Sequence, residues 1–158
     1  MSKCPRGNLA PASPSPAREF LVRSCAILLH RDAVLAEESD DGQGGRFYTL
    51  PGGHLEFGEA LGTCVSRELY EEAGLHVEAD KLVYVHENFF RHLGVDTHEI
   101  GFYFLVDVAS EFPAPDGRGY VPHRESHLKM RLLPLEGLAR EPLLPAFLRD
   151  LLPTDAPQ

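Results

Sequence analysis

Tryptophan is absent from this chain, cysteine occurs three times and methionine twice. No apolar run approaches the roughly 18 residues of a membrane-spanning helix, so no transmembrane segment is expected. Cys4, Cys25 and Cys64 are odd in number, widely spaced and without a C-x-x-C pair. Cys25 and Cys64 fall in segments that should be buried, and reduced thiols in a cytoplasmic protein are the simplest reading. Basic residues are scarce: 15 Lys and Arg stand against 24 Asp and Glu, a net charge of −9. That balance argues against a broad nucleic-acid surface. An acidic protein can still bind polyphosphate if metal ions bridge the two. The eight His suggest no zinc centre. The first 19 residues hold four Pro and no apolar stretch. They read as a disordered tail and not as a secretory signal.

The remainder has the content of one domain: 158 residues, 43% hydrophobic, enough for a real core. Residues 20–152 carry the recognisable elements, and 153–158 read as a short C-terminal tail. A strand-like run spans Phe20 to His30, with Ala33 to Glu37 as a hairpin partner across Arg31-Asp32. Asp40 to Gly45 is a loop, and Phe47 to Leu50 a short strand before Pro51-Gly52-Gly53. Residues 76–87 alternate as a strand, 88–96 read as a loop, and Thr97 to Val108 is the strongest strand in the chain. A final strand is expected over 128–134 and a C-terminal helix over 143–152. Strands on both sides of two helical segments imply an α/β fold with a mixed sheet.

Between the glycine pair and the next strand lies a segment with helical periodicity. Residues 60–73 lack Pro, and Leu61, Val65 and Leu69 recur at i, i+4, i+8. Gly74 is placed to stop the helix. At about 100° per residue, Glu68, Glu71 and Glu72 share a sector of roughly 100° that overlaps the apolar stripe. Three carboxylates so close repel one another. A solvated face steadied by Arg67 is one reading. A hard-oxygen site for Mg²⁺ or Mn²⁺ is the other, favoured because the acids share a face with residues that should be buried.

The spacing then becomes informative. Gly53, Glu59, Arg67, Glu68, Leu69, Glu71, Glu72, Gly74 and Leu75 fill every specified position of G-x5-E-x7-R-E-U-x-E-E-x-G-U, with U aliphatic. The segment resembles the Nudix box, and Leu50-Pro51-Gly52-Gly53 is similar to that family's lead-in. The resemblance implies a Nudix-like α/β/α sandwich with a mixed central β-sheet. It also implies metal-dependent hydrolysis of a pyrophosphate bond in a nucleoside diphosphate derivative. On that resemblance Glu68, Glu71 and Glu72 are metal ligands for Mg²⁺ or Mn²⁺, joined by the Gly53 carbonyl. Arg67 orients the acids, and Glu59 is structural. The general base is Glu68 or a downstream Glu; Glu99 is the first candidate there and Glu87 its rival. Strand alternation sets Glu99, Gly101 and Tyr103 on one face, toward solvent or the cleft, and His98, Ile100, Phe102 and Phe104 on the other.

Arg23 on the first strand could meet a phosphate or lie on a solvated face. Phe47, Tyr48, Phe89, Phe90, Phe102 and Tyr103 offer a base-stacking platform from which one or two are expected at substrate, Tyr48 and Phe89 first among them. The partner is a small nucleotide, with no membrane; a homodimer is compatible with the sequence. Subfamily marks downstream are missing: Phe89-Phe90-Arg91 stands where ADP-ribose hydrolases carry Pro, and His92-Leu93 where dinucleoside-polyphosphate hydrolases carry Tyr. A (deoxy)nucleoside triphosphate pyrophosphohydrolase is therefore the favoured expectation. ADP-ribose or nucleotide-sugar hydrolysis and a non-catalytic nucleotide sensor remain as alternatives.

The tail yields a first prediction. Deleting residues 1–17 should leave melting temperature and turnover close to those of the full chain, since Pro, Ser and Ala offer little to pack. A large drop in either would show that the tail docks on the domain.

Overall fold

The computed structural model describes residues 16–109 and 111–155. The expected disordered tail, with Cys4, lies outside the described residues up to position 15. The run from Phe20 to His30 is continuous but serves two sheets. β1 (Arg18–Ile27) pairs in parallel with β7 (Val95–Val108) and antiparallel with β5 (Gly52–His54). β6 (Val77–His92) adds to the far side of β7, giving the order β5-β1-β7-β6. After Leu28 the chain changes sheet. β2 (Leu29–His30) forms the expected hairpin with β3 (Ala33–Asp40) across Arg31 and Asp32.

β3 centres the second sheet, in the order β10 (Leu143–Leu144), β4 (Arg46–Thr49), β3, β9 (Lys129–Pro134), β8 (Tyr120–Val121). Both sheets are mixed, because β10 runs parallel to β4 as β1 does to β7. The strands thus divide between two sheets where one central sheet was expected.

Period-2 alternation explains the layering. Cys25 and Ile27 of β1, Val34 and Ala36 of β3 and Leu133 of β9 enter one cluster with Leu148 and Leu152 of helix α2 (Phe147–Asp155). Ala26, Leu35 and Met130 of the same strands, with Leu28 between β1 and β2, enter a second cluster with Val65 and Leu69 of helix α1 (Leu61–Ala73). The strand layer therefore lies between the two helices. No helix among the described residues is long and apolar enough to cross a membrane.

Three expectations are corrected. The loop expected at 88–96 is a tight hairpin: β6 continues to His92 and β7 begins at Val95, with Leu93 and Gly94 turning at φ 48° and 82°. Leu93 carries no turn signature, so the sequence hid the continuation. At the C-terminus, Leu143 and Leu144 pair with β4, and α2 starts only at Phe147. Pro145 disfavours helical backbone at Leu144, the residue before it, so the helix begins beyond it. α2 also carries on through Pro153 to Asp155, so 153–155 belong to the helix and not to the tail. The α1 boundaries agree within a residue: the helix stops at Gly74, left-handed at φ 70°, whose amide bonds back to the Tyr70 carbonyl (2.9 Å).

The packing of α2 gives a paired prediction. Leu148 is buried and Leu151 is exposed on the same helix. Leu148→Ala should lower unfolding free energy by about 2–5 kcal/mol, and Leu151→Ala by under about 1 kcal/mol. Equal losses in urea denaturation would mean that α2 docks by another face.

Candidate active site

Arg67 ties the site together. Its Nε donates to Glu59 Oε1 (2.8 Å) and its Nη2 to Glu59 Oε2 (3.2 Å), a bidentate fork. Nη1 donates to Glu68 Oε1 (2.9 Å) and Glu71 Oε2 (3.3 Å), and Nη2 also reaches the His54 carbonyl (3.3 Å). The fork holds the Glu59 carboxyl down at about 2, while the hydrogen bonds it donates to Glu59 hold the guanidinium firmly protonated. The sign follows: this pair stabilises the fold above the ordinary carboxylate value of 4.5 and is lost as pH falls toward about 2. Glu59 is thus a structural partner of Arg67, set against the loop by the Glu56 amide (3.1 Å).

The helix meets the glycine pair at van der Waals limits. A Cβ built on Gly53 would collide with the Glu68 carboxylate, so a larger residue there would displace that carboxylate from its place beside Arg67. Ser24 Oγ donates to the Leu61 carbonyl (2.8 Å), fixing the helix start to β1. Glu68 is largely enclosed and Glu71 half exposed at the rim.

Glu72 continues the apolar stripe of Val65 and Leu69 and is only 8% exposed. It meets a residue that the sequence reading passed over: Glu37 of β3, 7% exposed. Burial raises both carboxyls above the usual range. For Glu72, the neighbouring Glu37 charge raises it further; for Glu37, the bond to Glu72, the Arg23 charge and the Gly52 amide pull back. Glu37 Oε1 and Glu72 Oε2 are buried without a hydrogen-bond partner. The available signal was alternation: Glu37 follows Leu35 by two and must share its inward face.

A cleft of about 570 Å³ opens beside this cluster. Arg23, Glu37 and Glu99 line it with Phe47, Asn88 and Phe90. Arg23 is therefore on the cleft wall and not on a solvated strand face; its Nη2 donates to the Gly52 carbonyl (2.9 Å) and its buried Nε has no partner. Glu99, 8% exposed, takes the cleft alternative over the solvent one. Glu87 lies exposed on β6, paired with His98 Nε2 (2.8 Å), away from the cleft.

Two expected substrate aromatics are displaced. Tyr48 is 0% exposed in the core, donating to Glu38 (3.2 Å) and accepting from Arg131 (2.8 Å); its neighbour Phe47 reaches the cleft instead. Phe89 is 68% exposed and stacks on His98 (4.4 Å between centroids), while Phe90 faces the cleft. A one-residue offset on a strand reverses the face, which accounts for both shifts.

The donor set suits a hard divalent cation: carboxylates and a backbone carbonyl, with an orphaned carboxylate oxygen on Glu72. Among the described residues, no three His, Cys, Asp or Glu side chains are already gathered around one point. His123 and His127 stand four apart but lie in a loop, and His127 pairs with Glu125 (3.1 Å). Burial pushes the Cys25 thiol up to about 12 and the Cys64 thiol up to about 11, so neither is a nucleophile near neutral pH.

Comparison with known proteins supplies the frame. The NUDIX domain family profile matches residues 20–154. A MutT-like protein of Streptomyces ambofaciens is 49% identical over 41 residues, 26% of this chain and 27% of that protein. Among solved structures, a NUDIX hydrolase from Nitrosomonas europaea has a TM-score of 0.57 at 20% identity, covering 78% of each chain. A MutT protein from Bacillus halodurans gives 0.57 at 18% identity, covering 85% of this chain and 82% of its own. An ADP-ribose pyrophosphatase from Streptococcus suis gives 0.52 at 20%, covering 78% and 79%. At these identities the structures speak for the fold, and the profile, over a site with every motif side chain in place, for the family: the chain belongs to the Nudix hydrolase family.

Proposed function

We propose that this Nudix hydrolase cleaves a (deoxy)nucleoside triphosphate to the monophosphate and pyrophosphate, with Mg²⁺ or Mn²⁺. The observation that carries the reading is the junction of cleft and acidic helix at Glu37 and Glu72, walled by aromatic Phe47 and Phe90 and by Arg23. Gly53, Glu68, Glu71 and Glu72 would hold the metal. When bound, such a cation neutralises phosphate oxygens and lowers the pKa of water.

The chain's own groups divide the remaining work. Arg23 offers a fixed positive charge to the phosphates beside Glu37 and Glu99 on the cleft wall. Phe47 and Phe90 offer ring faces to a base. Arg67 keeps Glu68 and Glu71 side by side against their mutual repulsion. Glu99 takes the proton from the attacking water; the water oxygen bonds to phosphorus, and the bridging oxygen leaves with pyrophosphate. Glu99 suits that role because it faces the cleft and makes no ion pair among the described residues, whereas Glu68 already gives an oxygen to Arg67.

The deciding experiment is a panel of ordinary and oxidised (d)NTPs, ADP-ribose, dinucleoside polyphosphates and nucleotide sugars, with Mg²⁺ or Mn²⁺ and product identification. A triphosphate should be the best substrate, and chelator should abolish turnover. Preference for ADP-ribose or a nucleotide sugar would overturn the substrate. Full turnover in excess chelator would overturn the metal, and no turnover on any member would make the protein a sensor.

Glu99→Gln should lower kcat by about 10²-fold or more, with a smaller change in KM and a flatter acidic limb of the pH–rate profile. Glu87→Gln should remain within about twofold of wild type, as expected for an exposed group outside the cleft. The reverse ranking would transfer the role to Glu87, and two silent variants would return it to Glu68.

A further inference from the structure

We propose that Glu37, on β3 and outside the nine-position motif, is an additional ligand of the divalent cation and shares it with Glu72. This rests on the reading of α1 as a metal-holding helix. Two carboxylates, 7% and 8% exposed, are close neighbours, and Glu37 lines the cleft. Such a pair is repulsive unless a proton or a cation stands between the oxygens. Each side keeps one buried oxygen without a partner, Oε1 of Glu37 and Oε2 of Glu72. Buried polar atoms of native proteins are nearly always satisfied, so two such atoms on neighbouring side chains point to a missing group.

Nearby positive side chains do not close on this pair, although the Arg23 charge is felt by both carboxyls. Arg67 is spread over Glu59, Glu68 and Glu71. Arg23 directs Nη2 to the Gly52 carbonyl. Neither Glu37 nor Glu72 forms an ion pair among the described residues. Glu37 also lines the cleft, so a cation held by both residues stands where helix and cleft meet. An all-oxygen pair open to substrate on one side suits Mg²⁺ or Mn²⁺, which keep positions for water and phosphate. β3 thereby supplies a ligand from a strand distant in sequence from the motif.

The test is calorimetric titration of the full chain with Mn²⁺ alone, without substrate, together with melting curves of the metal-free proteins. Glu37→Gln should weaken Mn²⁺ binding at least ~10-fold, the scale of a lost metal-site partner. Its metal-free melting temperature should be unchanged or higher, because the buried charge at 37 is removed while an amide can still bond to Glu72. Glu37→Asp keeps the charge but draws it back by one methylene; it should also weaken Mn²⁺ binding, and it serves if the Gln variant does not fold. Wild-type Mn²⁺ affinity in the folded Glu37 variants, with loss in Glu72→Gln, overturns the assignment of Glu37 while sparing the helix. Wild-type affinity in Glu72→Gln as well removes the metal reading of the helix itself. A lower metal-free melting temperature with unchanged affinity makes Glu37 a structural group and overturns the proposal.

Discussion

One guanidinium holds the arrangement together. Arg67 closes a fork on Glu59 before the helix and reaches Glu68 and Glu71 along it. Arginine is the side chain able to do this, being always charged and planar with donors on both edges. Without it, Glu68 and Glu71 would swing apart into solvent, since acids three and four residues apart repel. With it, the Glu68 carboxylate is held against Gly53, where a Cβ would push it aside. The spacing of the motif thus records a loop length and a helical turn that bring one fork to three carboxylates.

A second force works against that order. The apolar stripe of α1 docks Val65 and Leu69 between β1, β3 and β9, and the next residue on the stripe is Glu72. Hydrophobic burial of the first two carries the third into the interior beside Glu37. Desolvation then pushes both carboxyls up from their ordinary values, and the Glu37 charge raises Glu72 further. Such a pairing lowers stability locally, and the surrounding core offsets it. Functional clefts are where folded chains retain unfavourable charge of this kind.

How much of this was legible from residues alone depends on the range over which each signal acts. Local periodicity defined α1 to within a residue, with Gly74 as its stop. Alternation placed Glu99 on the face of Gly101 and Tyr103, and that face turned out to be the cleft. Facing errors arose on strands whose inward side is set by partners far away. Tyr48 and Phe89 were each one residue out of phase with the cleft, and Phe47 and Phe90 took their places. The β6–β7 turn was hidden because Leu93 adopts φ 48° without a residue type that advertises it. Glu37 was overlooked because its significance lies in Glu72, and nothing in the A-V-L-A-E-E run reveals what packs over it. The division into two sheets likewise depends on Leu28, where an uninterrupted apolar run changes partners.

The parallel pairing of β1 with β7 has a temporal consequence. Thr97 and Glu19, bonded at 3.0 Å across these strands, are separated by 78 residues in sequence. Arg23 and Glu99 reach the same cleft through that pairing, and Glu37 joins them from the other sheet. Contacts of such long range close slowly, because chain entropy must be given up before they form. A fragment containing only the acidic helix has the charges but not the enclosure. Occupancy of the cleft by ligand therefore reports on molecules that have completed their topology, and it withdraws those molecules from the pool exposed to proteolysis and aggregation.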